Sequence, residues 1–573
     1  MTDDHQSRNM VKRQARQLAE IKKILAMPPD TALREILNSN QPATLVQSLS
    51  PEDFYFLIHD IGIDDALPLV ELAASSQWEY VLDLETWRRD HIDLPVLSSW
   101  LQILFQADRN RLVRWLLAEK TELFEYYLFR YIDVKIRQHD QDPSDFRTHY
   151  FTLDDIFYIR FLRDTSADGD SDEEEDCFEK TLLEHMALMD YTTYQNVLLE
   201  VMSVIPAEVE EEDYRLRNVR LAEKGFVPFE EAMEVYAPMG MDRMALYRRK
   251  SPASSKKNGA SESLPPVAIS LHTEHAFFTD ALRVIESEGG VNDLQLEFAA
   301  LLNSLISADQ KPVREREALN GVIKKAVGYL SIGLELITGE AHDAVKAAHG
   351  LRTYRLAHIF RLGYTQAMEL KFRSDKWVKE SWFKSKGLPL SFWDEDFMGV
   401  IGGLLVHRPY YFDNYETGIL YREFETLADI HETRQQLEDI IDLDNLMSLM
   451  PVNPAQFPDP QITYIRLILT AWACHLIEKD SVRPLTPTEL RRFFERLWQG
   501  EDMRLEREGK IDPAMKTAFL NWLADQSGLT AFEISRRMQA RLETLFSDIE
   551  AEYGHVAIGN IDPRFIRHIY VDA

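Results

Sequence analysis

The chain has 573 residues, with 64 basic and 95 acidic side chains and a formal net charge of -31. A field of that sign repels phosphate backbones, so nucleic-acid binding by the molecule as a whole is disfavoured. Its two cysteines, Cys177 and Cys474, exclude a disulfide framework, a zinc knuckle and a redox pair, and suit a reducing cytoplasm.

The hydrophobic share of 45% and charged share of 28% are those of ordinary globular protein, long enough for more than one core. The start, Met1-Thr-Asp-Asp-His5, leads into a basic helix rather than a secretory signal. The longest apolar-rich run, Leu467 to Ile477, is half of what a membrane span needs. The expected location is the cytoplasm, and membrane contact is expected only through the basic N-terminal helix, Val11 to Leu25. That helix reads as a solvated packing helix; the alternative is an arm for an anionic lipid surface or RNA.

From Thr31 to Val134 the pattern is one of short helices. Leu45-Val46 followed by Phe54, Phe56, Leu57 and Ile58 recurs 24 residues later as Leu69-Val70 followed by Trp78, Tyr80, Val81 and Leu82. Ser50-Pro-Glu-Asp53 is a strong helix start, because serine caps, proline fits the first turn and acids meet the positive helix end. Helices are expected at Leu94 to Ala107 and Arg109 to Leu117. Short elements that cannot bury their own faces predict a stacked, solenoid-like array over 31–163. Phe151 to Leu162 has strand-like composition but a Thr152-Asp154-Asp155 start; a helix is expected there.

Residues 35–90, through Leu49-Ser-Pro-Glu-Asp-Phe54, resemble the helical-repeat cytosolic domain of magnesium-transporter and flagellar-switch proteins. Without a transmembrane part, a transporter is excluded. Over its whole length the chain is similar to an uncharacterised family of bacterial helical proteins of unknown function. The stretches that carry this are Leu221-Ala-Glu-Lys-Gly-Phe226, Glu230-Glu-Ala-Met-Glu-Val-Tyr236 and His407-Arg-Pro-Tyr-Tyr411. That resemblance implies no activity.

Asp168, Asp170, Asp172 and Glu179 match positions 1, 3, 5 and 12 of a calcium loop, but Glu173 stands where its turn needs glycine. The 164–179 run is therefore read as a flexible acidic loop, and Glu208 to Asp213 as a second exposed turn. Helices are expected at Leu182 to Val204 and Phe229 to Tyr236. Residues 247–267, rich in Ser, Lys, Gly and Pro, read as a linker between 164–246 and a C-terminal all-helical domain, 268–573.

That second half centres on Leu319 to Leu370. Leu319, Val322, Ile323, Ala326, Val327, Leu330, Leu334 and Ile337 share one helix face, with Gly339 as a stop. A second long helix is expected over 341–373. Others are expected at 274–286, 293–306, 394–406, 418–441, 461–478, 487–499, 513–525 and 530–552. Thr486-Pro-Thr-Glu489 forms a capping box, and Ile462 to Ile477, apolar nearly all round, is expected to be a buried central helix.

Few constellations suit chemistry. His272 and His275 stand one turn apart but lack a third ligand, and Glu552-Tyr-Gly-His555 is a single copy of a motif that di-metal bundles use twice. No metal or cofactor is expected. The candidate ligand-binding residues are His342, Arg355 and His358 on the second central helix, with His407, Arg408, Tyr410 and Tyr411 after a Gly-rich helix. Arg355, if buried, needs a carboxylate; the structural alternative is an ion pair at a helix junction. Phosphate-cradling, dinucleotide, zinc-protease, nucleophile-elbow and kinase patterns are absent from the sequence. The expected fold is all-α. The expected function is a non-enzymatic cytosolic interaction or scaffold protein with protein partners; the alternative is a ligand sensor or enzyme with its polar site in the C-terminal domain.

Overall fold

The computed structural model describes residues 20–21, 23–146, 150–162, 177–249, 276–286, 292–310, 313–339, 342–457, 462–479, 481–498 and 510–572. Helices dominate, and the strands form three small antiparallel sheets, so the protein is all-α. No helix among the described residues is long and apolar enough to cross a membrane. The described residues of Met1–Val235 and Gly289–Ile323 form one compact unit, and those of Tyr236–Arg249, His275–Glu288 and Lys324–Ala573 another.

In the first unit the 24-residue offset coincides with two short-then-long helix pairs. These are Pro42–Gln47 with Pro51–Ile61, and Leu67–Leu72 with Ser75–Glu85. Leu45, Val46, Phe54, Leu57 and Ile58 are buried, as are Leu69, Val70, Trp78, Val81 and Leu82. Ser50 caps its helix by accepting from the Asp53 amide at 3.0 Å. The pairing stops at Glu85, where the ribbon of β1 (Trp87–Arg88) and β2 (His91–Ile92) intervenes. Longer helices follow at Leu94–Ala107, Arg109–Glu119 and Thr121–Tyr131.

The helix expected over Phe151 to Leu162 is instead a pair of strands. β3 (Ile132–Ile136) pairs along its length with β5 (Phe157–Phe161), and β4 (Phe151–Thr152) pairs with the other edge of β5. Thr152 and Asp154 do cap, but they cap a turn. The Asp155 amide donates to Thr152 Oγ1 at 2.9 Å and the Phe157 amide to Asp154 Oδ1 at 2.8 Å. Asp155 takes φ 57°, which reverses the chain. Local capping chemistry serves turns and helix starts alike, and the waiting edge of β3 decided which.

Two acidic expectations also change. Glu208 to Asp213 lies in the helix Pro206–Glu223, not in a turn, with Pro206 in its first turn. Glu210 accepts from the Tyr126 hydroxyl at 2.9 Å. Glu179, the last position of the calcium-loop pattern, is buried in the helix Phe178–Met189 and accepts from Tyr127 at 2.7 Å. Residues 164–176 of that acidic run, most of the basic N-terminal helix, and residues 250–267 of the linker lie outside the described residues.

In the second unit, Ala326, Val327, Leu330 and Leu334 of the helix Arg316–Thr338 are buried, and Gly339 at φ 74° follows its end. The expected second helix is two, Ala344–Thr353 and Leu356–Glu380, because Tyr354 and Arg355 are extended. The long helices cross at glycines. A Cβ on Gly333 would strike the Ile359 carbonyl, and one on Gly363 the Tyr329 carbonyl. The helix expected from 418 begins at Leu427, running to Leu449, since Thr426 and Asp429 form its capping box and β6 (Tyr411–Phe412) pairs with β7 (Tyr421–Arg422) before it. Tyr464–Leu476 is the buried helix expected, with Leu467 to Cys474 almost wholly enclosed. The capping box at Thr486 and Glu489 forms as the sequence predicts.

Candidate functional site

The first unit encloses a cavity of about 430 Å³, within the range of small-molecule pockets. The helix Pro51–Ile61 contributes Tyr55, and Ser75–Glu85 contributes Tyr80 and Glu85. The β1–β2 ribbon brings Trp87, Arg88 and Arg89; Pro206–Glu223 brings Tyr214, Arg217 and Asn218. The helix Asn292–Asp309 and the chain after it bring Asn303, Ser307, Gln310 and Arg314.

Glu85 is the best-held charge of this wall. Its side chain is 1% exposed and accepts from the Tyr55 hydroxyl at 2.5 Å and from Arg314 Nη2 at 2.7 Å, with His59 at 3.4 Å. Burial alone would raise its pKa, but the close approach of His59 and the bonds from Tyr55 and Arg314 outweigh that and bring it down to about 2. Tyr55 is pushed far up by its own burial and by the neighbouring Glu85 charge. Four arginines and two carboxylates, Glu85 and Asp93, line the cavity. In a chain of net charge -31 this is a local reversal of sign.

Several wall residues keep polar atoms that no described residue pairs. Tyr80 is 7% exposed, and its hydroxyl makes no hydrogen bond to a described residue. Asn303, 2% exposed, donates from Nδ2 to the Lys224 carbonyl at 3.2 Å while its Oδ1 is unpaired. Arg217 donates from Nε to the Asp83 carbonyl at 2.6 Å, and its terminal nitrogens bond to no described residue. Arg89 holds φ 62° in the ribbon turn, a conformation that favours glycine, with its side chain exposed. Buried polar groups are normally paired, so this wall has hydrogen-bonding capacity that the protein itself leaves unused.

None of the seven sequence-predicted residues lines this cavity. All lie in the second unit, and their contacts divide among separate places. Arg408 and Tyr410 join a buried aromatic and basic cluster. Arg408 donates to the Tyr236 hydroxyl at 2.8 Å, and its guanidinium lies 4.0 Å over that ring. Lys325, 4% exposed, lies 5.1 Å over the same ring and 3.7 Å from Glu423. Tyr329 donates to Glu423 at 3.3 Å. Tyr410 is near enough to act electrostatically on Lys325, Tyr236 and Tyr364. Burial pushes the Lys325 amine down, against Glu423, and pushes Tyr236, Tyr329 and Tyr364 up. Two stretches quoted for the family resemblance, ending at Tyr236 and spanning Arg408, therefore meet here.

Tyr411 belongs to a second network. It donates to Glu432 at 2.9 Å under the Arg422 guanidinium, 4.2 Å away, and Arg422 in turn bonds to Asp413 and Asp429 at 2.8 Å each. His342 is exposed, 3.5 Å from Glu335. His358 packs on Tyr247 at 4.7 Å, and burial lowers its pKa. Arg355, far from being a buried charge, is exposed at the cap of Leu356–Glu380, and His407 is exposed as well. Of the metal candidates, Glu552 pairs with His568 at 3.0 Å near the end of the helix Ala531–Tyr553, and His272 and His275 lie outside the described residues.

The cavity residues were missed because nothing local marks them. Tyr80, Arg217, Asn303 and Arg314 are spread over four segments with no shared spacing. The Arg88-Arg89 pair, polar residues in a turn beside Trp87, is the one signal visible in sequence.

No curated protein and no solved structure matches the chain, so the likeness of residues 35–90 to magnesium-transporter and flagellar-switch domains rests on the sequence pattern alone. The family model described as a family of unknown function, DUF6178, matches residues 11–572, and the chain belongs to that family.

Proposed function

We propose that the protein is a non-enzymatic ligand-binding protein whose amino-terminal unit receives an anionic small molecule. One observation carries this: the 430 Å³ cavity is lined by four arginines and by the buried Tyr80 and Asn303, whose hydroxyl and amide oxygen no described residue pairs. A dry structural void is apolar, whereas a polar wall calls for water or a ligand to pair it. A scaffold that works only through its outer surface, the leading expectation from sequence, does not call for such a wall. The test is thermal melting of the purified chain against a library of anionic, neutral and cationic metabolites, repeated with Ser307→Trp to fill the cavity. The reading expects stabilisation by anions that the filled variant loses. No stabilisation by any compound, or equal stabilisation of the filled variant, sinks it.

A second reading, a protein-interaction surface, is supported by one observation. Leu188 is 86% exposed, Ile205 54% and Met202 49%. Leu188→Asp with Ile205→Asp would then release a protein partner without affecting melting, whereas unchanged association would remove this reading.

A further inference from the structure

The wall chemistry of the cavity narrows the class of ligand. It joins two kinds of group that one simple anion does not need together. The first is aromatic: Trp87 and Tyr214 sit with ring centroids 5.6 Å apart at 46°, and Tyr55 and Tyr80 lie edge to face at 6.1 Å. Tyr55 and Tyr80 are buried against each other and the Arg217 guanidinium lies 5.6 Å over the Trp87 ring, so a flat ligand would meet an aromatic wall and stack where Trp87 and Tyr214 border the cavity. The second is a set of amides and guanidinium groups. Asn218 and Gln310 make no hydrogen bond from their side chains to a described residue, and Asn303 keeps its Oδ1 unpaired. An amide presents a donor and an acceptor side by side, which is what the edge of a heterocyclic base requires.

The guanidinium donors exceed what one carboxylate uses. Arg89 has no partner among the described residues, Arg88 reaches Asp93 only at 3.8 Å, and Arg217, whose guanidinium lies 5.6 Å over the Trp87 ring, makes no hydrogen bond from its terminal nitrogens to a described residue. A phosphoryl group, with three acceptor oxygens and up to two charges, matches several forked donors at once. Arg314 is different. It is committed to Glu85 by two nitrogens, so it neutralises the one deeply buried carboxylate and keeps the wall from repelling an anion.

We infer that the cavity takes a phosphorylated planar heterocycle, the class of a nucleoside monophosphate, with the ring among the tyrosines and Trp87 and the phosphoryl group toward Arg88, Arg89 and Arg217. This rests on the reading of the cavity as a ligand site.

The test is isothermal titration of the full chain with the four common ribonucleoside 5′-monophosphates, their nucleosides, ribose 5-phosphate and inorganic phosphate. At least one monophosphate is expected to bind about tenfold or more tightly than both its nucleoside and ribose 5-phosphate, and to weaken with salt. Arg89→Gly, which removes an exposed side chain and relieves its backbone, should lower that affinity about tenfold with a melting point no lower than wild type. If a nucleoside or ribose 5-phosphate binds as tightly as the monophosphate, the inference is overturned while the ligand site stands. If no probe binds, the inference is overturned, and the metabolite library decides separately whether the cavity is a site for another anion.

Discussion

Arg314 closes on Glu85 with two nitrogens, Nε at 3.1 Å and Nη2 at 2.7 Å, although 229 positions separate them. Glu85 is fully enclosed, whereas half of the Arg314 side chain is in water. Removing the arginine strands a buried carboxylate. Arg314→Ala should destabilise by about 2 kcal/mol, below the ~3–5 of a fully buried pair because water screens Arg314. The Glu85 pKa is lowered, so its contribution is complete above the ordinary value and is lost as pH falls toward about 2. Urea unfolding at a series of pH values should show the gap between wild type and Arg314→Ala constant at neutral pH and narrowing in acid.

Glu125 makes the opposite prediction. Burial, with Glu200 and Glu122 adding like charge, raises it to about 7. A carboxyl raised in the folded state binds a proton more tightly there than when unfolded. Its ionisation therefore lowers stability as pH climbs from the ordinary value toward about 7, with no further loss above. Glu125→Gln should stabilise by about 1 kcal/mol at pH ~8, after allowance for its partial exposure, and the gain should vanish near pH ~4. A gain independent of pH would show that the charge is not its source.

Gly363 sits where the helices Arg316–Thr338 and Leu356–Glu380 cross, and an added Cβ would meet the Tyr329 carbonyl. That obstacle is backbone and has no rotamer to move. Gly363→Ala should cost about 3 kcal/mol, despite alanine's better helix propensity, as measured by chemical denaturation. Gly387, at φ 69° with open space around it, is the control in which alanine is penalised by backbone conformation alone, about 1 kcal/mol.

Lys325 and Glu423 are 3.7 Å apart, with the lysine side chain 6% exposed and the glutamate 21%. Lys325→Met alone should cost about 2–3 kcal/mol by removing a buried cation 3.7 Å from Glu423. Lys325→Met with Glu423→Leu should recover most of that loss, since an apolar pair needs no desolvated charge. A double-mutant cycle that shows no coupling would mean that the two charges are held independently.

The all-α class, the capping boxes and the buried faces could be read from the chain because each depends on neighbours within a turn or two. Thr486 and Glu489 cap each other three residues apart, and Val327, Leu330 and Leu334 align by helical period alone. Thr152, Asp154 and Asp155 show the limit of that reading. The same side-chain caps stabilise a helix start or a turn, and only the free edge of β3 selects the turn. The helix expected over 341–373 likewise breaks at Tyr354–Arg355, where no proline or glycine announces it.

The cavity belongs wholly to tertiary structure. Its chemistry comes from Tyr80, Arg217, Asn303 and Arg314, residues of common types that acquire meaning through burial, lost partners and convergence. Helical period tells which side of a segment turns inward, but not which other segment it will face. Local order was therefore legible in the amino acids themselves. The meeting of distant side chains around a positively lined cavity was decided only when the helices packed.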